Sequence, residues 1–184
     1  EKSQIYQGGE SLDKLALHEK TKATIRKRLG GPGLWKHQTD ALRLLLNGMN
    51  TVIATGTSSG KTLCYQIPIL DDLLRDPSPG LRAVIIYPLN ALVNDQLTEW
   101  EQMLRDHSQI FFARFTGQTP KTQTDYVARL RETFREELSD QQLTQQELQR
   151  NVTQRVEERL RTDIPNRLNH REAIRSNPPQ ILIT

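Results

Sequence analysis

Gly56, Gly60, Lys61 and Thr62 close the segment TVIATGTSSGKT, which runs from Thr51 to Thr62. Their types and spacing suit a polyanion. Two glycines let the backbone curl so that successive N–H groups point into one concavity. Lys61 can then reach the β- and γ-phosphates of a nucleotide, and the Thr62 hydroxyl can ligate Mg2+. Thr57, Ser58 and Ser59 line the curl with hydroxyls. A helix starting near Lys61 brings its positive N-terminal dipole to the same point. The usual pattern has Gly or Ala five residues before the Gly-Lys pair, and this chain has Thr55 there. A glycine-rich turn without a ligand is the alternative. The apolar run Val52-Ile53-Ala54 before the loop and the helical pattern Leu63 to Leu74 after it weigh against that alternative, because a phosphate loop joins a strand to a helix.

Three more segments bear on the ligands. Leu34-Trp35-Lys36-His37-Gln38 lies upstream of the loop. The amide of Gln38 carries a donor and an acceptor, which matches the N6 and N7 edge of adenine and makes it a candidate base reader. Trp35 could stack on the purine. The alternative places Trp35 in the core and Gln38 on a helix surface. Next, Tyr87-Pro88-Leu89-Asn90-Ala91-Leu92-Val93-Asn94-Asp95-Gln96 follows an apolar run. Pro88 ends a strand there, and Asn90 opens a helix whose N-terminal amides can cradle a backbone phosphate. Finally, Phe115-Thr116-Gly117-Gln118-Thr119 ends one more strand, and Thr184 another. Loops at the carboxyl ends of parallel strands are where such sheets bind ligands. Hydroxyls and amides at these tips can hold a nucleic-acid strand without reading its bases.

The elements that must position these groups follow a regular alternation. Helical patterns cover Ser11 to Leu29 and Leu34 to Asn47, separated by the breaker Gly30-Gly31-Pro32-Gly33. Strands are expected at Thr51 to Thr55, at Ala83 to Tyr87 (apolar enough to be buried on both faces), at Ile110 to Phe115 and at Ile181 to Ile183. A helix capped by Asn90 extends to about Leu104. This predicts an α/β fold with a parallel sheet and flanking helices. Between the third and fourth expected strands the rhythm breaks. Val127, Leu130, Phe134 and Leu138 form one apolar stripe, and Leu148, Val152, Val156 and Leu160 another. Thr144 and Glu147 have capping-box spacing, with Leu143 and Leu148 placed as a staple. Two amphipathic helices are therefore expected as an insertion, a solvated hairpin leaning on itself or on the domain. A partner-binding or nucleic-acid-gripping arm over 122–161 is its other reading.

Composition sets bounds on these readings. The chain has 184 residues, of which 35% are hydrophobic, a net charge of +3 and a pI of about 9.1, with a mean hydropathy of −0.64. That suits one domain with much solvated surface and is compatible with nucleic acid. A single cysteine, Cys64, excludes an internal disulfide and a cysteine-cluster metal site. No apolar stretch has membrane-spanning length, and EKSQIYQGGE lacks a signal-peptide core, so a soluble protein of the cytosol or nucleoid is expected.

LWKHQ, TGTSSGKT, YPLNALVNDQ, FTGQTP and PPQILIT, in that order, resemble the first RecA-like motor domain of superfamily 2 helicases of the DEAD/DEAH-box type. The likeness extends to the subgroup of Hrq-type and mitomycin-repair-type DNA helicases and to large helicases of bacterial defence systems, in which the T-G-T-x-S-G-K spelling of the loop is familiar. It covers about Leu34 to Thr119 and Arg171 to Thr184. The resemblance implies that Gln38 recognises adenine, Lys61 holds phosphates, Thr62 holds Mg2+, and Pro88, Asn90, Gly117 and Thr184, with neighbours Leu89, Gln96, Thr116 and Gln118, meet the sugar–phosphate backbone. It also implies an ATP-dependent motor on DNA in preference to RNA, a second RecA-like domain that closes on this one, and a setting in repair or antiviral defence. The expected organisation is an N-terminal helical extension (1–33), a core with the nucleotide motifs (34–119), the helical insertion (120–170) and a return to the core (171–184). The acidic Mg2+-site strand of the family is expected beyond Thr184, so this piece alone should hydrolyse ATP negligibly. An ATPase of this loop type acting on a non-nucleic-acid substrate remains the alternative class.

Overall fold

Caps divide the N-terminal stretch into two elements where the sequence suggested one. Ser11 accepts a hydrogen bond from Asp13 N and starts a short 3-10 turn, Leu12–Lys14. His18 accepts one from Lys20 N and starts α1, Glu19–Leu29, which Gly30 ends in the left-handed conformation at φ 55°. The break between the two caps turns Leu15 and Leu17 inward, so that Leu12, Leu15, Leu17 and Ile25 are all buried. In the computed structural model, residues 8–30 and 33–184 are described; Gly31 and Pro32 of the expected breaker lie outside them.

The chain forms two compact units, one ending at Ser78 and the other spanning Pro79–Thr184. In the first, α1 and α2 (Lys36–Leu46) pack on α3, Lys61–Arg75. Leu63, Cys64, Ile67, Leu70, Leu73 and Leu74 of α3 face the core at helical spacing. The buried Asp71 ties the N-terminal segment down: its carboxylate accepts from His18 N at 2.6 Å and from Arg75 Nε at 2.7 Å. Arg75 also donates to Ala16 O.

The second unit holds a four-stranded parallel sheet of order β1-β4-β2-β3, made of Ala83–Ile85, Phe112–Arg114, Arg167–Leu168 and Ile181–Ile183 in chain order. Helix α4, Asn90–Leu104, connects β1 to β2 and packs on β2, with Val93, Leu97, Trp100, Met103 and Leu104 buried. Helices α5, Gln123–Glu137, and α6, Gln145–Thr162, follow β2, and the short α7, Arg171–Ser176, precedes β4. The expected parallel α/β architecture is present. The insertion is an antiparallel hairpin in which Leu138, Val152 and Val156 form a core joined by Val127, Leu130, Phe134, Leu143 and Leu148. Its capping box is formed: Thr144 N donates to Glu147 Oε2 at 2.9 Å and Glu147 N to Thr144 Oγ1 at 3.3 Å.

Four details differ from the sequence expectation. Thr51–Thr55 is not a strand; Val52 is 95% exposed, and none of the four strands pairs with it. Apolar composition gives a segment strand propensity, but only a neighbouring backbone makes it a strand. Ala83 to Tyr87 is not covered on both faces, since Val84 and Ile86 are exposed and β1 is an edge strand. Helix α4 is capped by Leu89, with Asn90 its first helical residue, because the backbone leaves the extended region one position earlier than expected. Strand β3 and helix α7 are additional, which places the hairpin between β2 and β3. Asn166 fixes the entry to β3: its buried amide donates to Leu104 O, His107 O and Ile110 O.

Candidate functional site

The loop from Thr55 to Gly60 is shaped by two residues in the left-handed region, Ser58 at φ 60° and Gly60 at φ 75°. Gly60 is also the cap position of α3, and no side chain caps that helix. Leu63 N donates to Gly60 O at 3.2 Å, and the Lys61 and Thr62 amides are left for an external acceptor. Lys61 reaches back across the curl, its Nζ donating to Thr55 O at 2.9 Å and Gly56 O at 2.6 Å. Thr55, the departure from the usual pattern, has a use here: its hydroxyl meets the Oγ of buried Ser59 at 2.6 Å and ties the two ends of the loop. Thr57 and Ser58 are exposed at the apex, and Thr62 is partly exposed on the first turn of α3.

Helix α2 holds the loop from the other side. Gln38 is 2% exposed; its Oε1 accepts from Trp35 N at 2.8 Å and its Nε2 donates to Gly60 O at 2.9 Å. His37 Nε2 lies 2.9 Å from Ser59 O. The Gln38 amide thus pins the loop, and by its donor and acceptor capacity keeps one hydrogen and one lone pair for a further partner. Trp35 is 40% exposed and is not a core side chain. Cys64, one turn into α3, is buried, and burial pushes its thiol up to about 11, so it is an inert packing residue.

These residues fit a magnesium-bound nucleoside triphosphate. The uncapped helix start, the two left-handed residues and an ammonium held only by carbonyl oxygens are what a polyphosphate would complete. Lys61 Nζ and the α3 amides would hold the phosphates, and Thr62 Oγ1 the metal.

In the second unit the three expected tips belong to neighbouring strands, β1, β4 and β2, and the ladder continues beyond them. Tyr87 N donates to Thr184 O at 2.7 Å, Thr184 N to Ile85 O at 2.9 Å and Phe115 N to Ile183 O at 2.8 Å. The tips therefore stand side by side at strand spacing, about 5 Å between neighbours. Pro88, Leu89 and Asn90 are exposed or partly so, α4 has no side-chain cap, and Gln96 and Thr184 are partly exposed. Gly117 and Gln118 are exposed at the β2 tip, and Thr116 is partly exposed. The Thr119 hydroxyl closes that tip internally, accepting from Thr116 N and donating to Arg114 O.

Two arginines that the sequence did not single out build the β2 tip. Arg171 Nε donates to Thr119 O, and its Nη2 to Thr116 O and Gly117 O, at 3.1–3.2 Å, with its guanidinium 5.4 Å above the Phe115 ring. Arg129 Nη1 donates to Gln118 O. The carbonyl oxygens of all four residues 116–119 are thereby taken by guanidinium groups, which removes acceptor character from this surface. Only the position of Arg171 at the start of α7, against the loop, reveals this role. Arg114, partly buried at the end of β2, donates to Asn94 Oδ1; burial first, and then Arg129, hold it below the usual guanidinium range.

A phosphate loop opening a helix in one unit and a parallel α/β sheet in the other are features of nucleotide-binding α/β proteins. Residues 35–135 match the DEAD/DEAH box helicase family, and the chain belongs to it. It is similar to the Druantia protein DruE of Escherichia coli, 33% identical over 147 residues (65% of this chain, 8% of that protein). It is also similar to the ATP-dependent helicase YprA of Bacillus subtilis, 36% identical over 101 residues (55% and 13%), and to the ATP-dependent helicase hrq1 of Schizosaccharomyces pombe, 37% over 98 (52% and 9%). The matched region spans 8 to 13% of the lengths of these relatives. Among the described residues no helix is long and apolar enough to cross a membrane.

Proposed function

We propose that this chain is the nucleotide-binding and strand-gripping part of an ATP-dependent DNA motor, acting with a second RecA-like domain in the cytosol. The observation that carries the reading is the phosphate loop of a DEAD/DEAH family member, held open to a ligand at an uncapped helix start. Lys61 exchanges Thr55 O and Gly56 O for phosphate oxygens, and the α3 amides and Thr62 complete the grip. Bound Mg–ATP supplies the scissile phosphoanhydride and a divalent charge that offsets the negative charge developing on phosphate. Trp35 covers the purine, and Gln38 touches both the base edge and Gly60 O, so nucleotide occupancy is felt by the loop. Pro88, Leu89, Asn90 and Gln96, with Thr116, Gly117, Gln118 and Thr184, present amides and hydroxyls to the phosphates of one strand. DNA is favoured over RNA because the Hel308 proteins of Pyrococcus horikoshii and Thermococcus kodakarensis, 36% and 37% identical over 96 and 92 residues, are named DNA helicases, against one relative of Arabidopsis thaliana, 35% identical over 83 residues, named an RNA helicase. The domain boundaries that go with this reading are 1–33, 34–119, 120–170 and 171–184.

ATP turnover by the intact protein, with and without single-stranded DNA, duplex DNA or single-stranded RNA, tests it. One DNA form should stimulate turnover strongly, and Lys61→Ala should lower it by about two orders of magnitude or more. Lysine-dependent turnover indifferent to every nucleic acid would mean a small-substrate ATPase instead.

A further inference from the structure

The tip after β2 is the last of the three adjacent tips, and an open groove of about 680 Å3 begins at it. One wall is the loop Gly117–Lys121. The other is a face of α5 carrying Asp125, Ala128, Arg129, Glu132 and Arg135, with Arg131 beside them. Their spacing of three and four residues places them along one side of the helix. The apolar residues Val127, Leu130 and Phe134 pack into the hairpin core, so α5 has one face for α6 and a polar one for the groove.

The groove carries four cations, Lys121, Arg129, Arg131 and Arg135, against two carboxylates. Asp125 is committed to the helix cap, accepting from Thr122 N at 3.1 Å. Arg129 is committed to Gln118 O. Among the described residues, no ion pair or side-chain hydrogen bond engages Lys121, Arg131 or Arg135, and all three are exposed. Three arginines elsewhere in this unit find carboxylates: Arg155 pairs with Glu137, and Arg159 and Arg167 both pair with Glu101. Three unpaired cations against one remaining carboxylate, Glu132, beside a loop whose carbonyls are already neutralised leave the groove with a net positive charge.

We infer that this groove extends the nucleic-acid track: the backbone of a single strand that leaves the β2 tip runs along α5, with Lys121, Arg131 and Arg135 contacting its phosphates. The inference rests on the reading of the three tips as strand-holding. The hairpin is then a grip on the strand, and its apolar core serves to hold α5 rigid beside the tip. The occupant is backbone and not base, because the groove offers guanidinium and ammonium groups and no aromatic ring for stacking.

The test is fluorescence anisotropy of labelled single-stranded oligothymidylate on the intact protein, titrated over a range of KCl concentrations. Removal of one phosphate-binding cation flattens the plot of log K against log[salt] by about 0.7. The double variant Arg131→Ala/Arg135→Ala should therefore flatten it by about 1.4 and weaken binding about tenfold or more at low salt. Arg131→Lys/Arg135→Lys should restore the slope, which separates charge from folding. Arg150→Ala, which removes a charge from α6 outside the groove, should leave the slope unchanged. Asn90→Asp, which sets a carboxylate at the α4 tip, reports on the tips alone. If Asn90→Asp weakens binding and the arginine pair changes neither affinity nor slope, the groove inference is overturned and the proposed function stands. If the intact protein binds no oligonucleotide, both fall.

Discussion

At the scale of single residues, the nucleotide site depends on contacts that leave little tolerance. A Cβ at Gly60 would lie 2.5 Å from Gln38 Nε2, at a φ of +75° that side-chain-bearing residues rarely adopt. Gln38 cannot swing away without releasing Trp35 N and burying an unpaired amide. Gly60→Ala should therefore cost about 1–3 kcal/mol of stability in urea unfolding. It should also weaken binding of a fluorescent ATP analogue more than tenfold, since the shift falls on the loop itself. Unchanged affinity would mean that Gln38 is not holding the loop in its binding shape. Arg171 acts differently. It takes three loop carbonyls in a planar fork and stacks over Phe115, which an ammonium cannot reproduce. Arg171→Lys should weaken oligonucleotide binding several-fold, because the β2 tip loses its shape, while the salt slope stays at the wild-type value, because Arg171 itself touches no phosphate. A flattened slope would make Arg171 a contact residue instead of a positioning one.

At the scale of elements, one carboxylate ties the hairpin and strand β3 to helix α4. Glu101 on α4 receives Arg159 of α6 and Arg167 of β3, and is only 18% exposed. Burial lowers Arg167 to about 10, but it stays charged at neutral pH and needs its partner. Glu101→Gln keeps the shape and removes the charge, leaving two guanidinium groups facing a neutral amide. It should cost about 2–3 kcal/mol in denaturant unfolding. A loss below about half a kilocalorie would show the trio to be a solvated surface cluster. The start of α6 was legible in the sequence because a capping box and a staple are local signals, and the stripe of Val152 and Val156 showed which side is apolar. Strand β3 was not legible. Arg167 and Leu168 make too short a run, and what holds them is the distant amide of Asn166 reaching three carbonyls. The phosphate loop was legible in its residue types, whereas the pairing state of Thr51–Thr55 was not, since a strand requires a neighbour that periodicity does not reveal. Gln38 stood out by its chemistry, but its bond to Gly60 O depends on how α2 meets α3. The arginines of the β2 tip were not legible, because a guanidinium bound to carbonyls leaves no spacing pattern.

At the scale of the whole molecule, the chain is two units with separate cores, and the backbone hydrogen bonds delimit the segment that joins them. Asp76 N still bonds to Asp72 O at the end of α3, and Ser78 N bonds to the Asp76 carboxylate. From Arg82 onward the chain is pinned again, with Arg82 N and Ala83 N both donating to Gln180 O at 2.9 Å. Between those anchors lie Pro79, Gly80 and Leu81, with Gly80 at φ 109° and Leu81 51% exposed. A protease needs several residues of extended chain free of hydrogen bonds, and prolines resist cleavage at their own bonds, so susceptibility concentrates at Leu81. Dilute chymotrypsin should cut the segment joining the units beside Leu81 before it cuts the hairpin, read by mass spectrometry of the peptides released from the intact protein. The exposed helices of the 122–161 hairpin should be cut later, because their backbone bonds are satisfied internally and their apolar stripes are mutually buried. Earlier cleavage in the hairpin would mean that its core is weaker than its caps and packing imply, and that it cannot hold α5 as a rigid wall for a nucleic-acid strand.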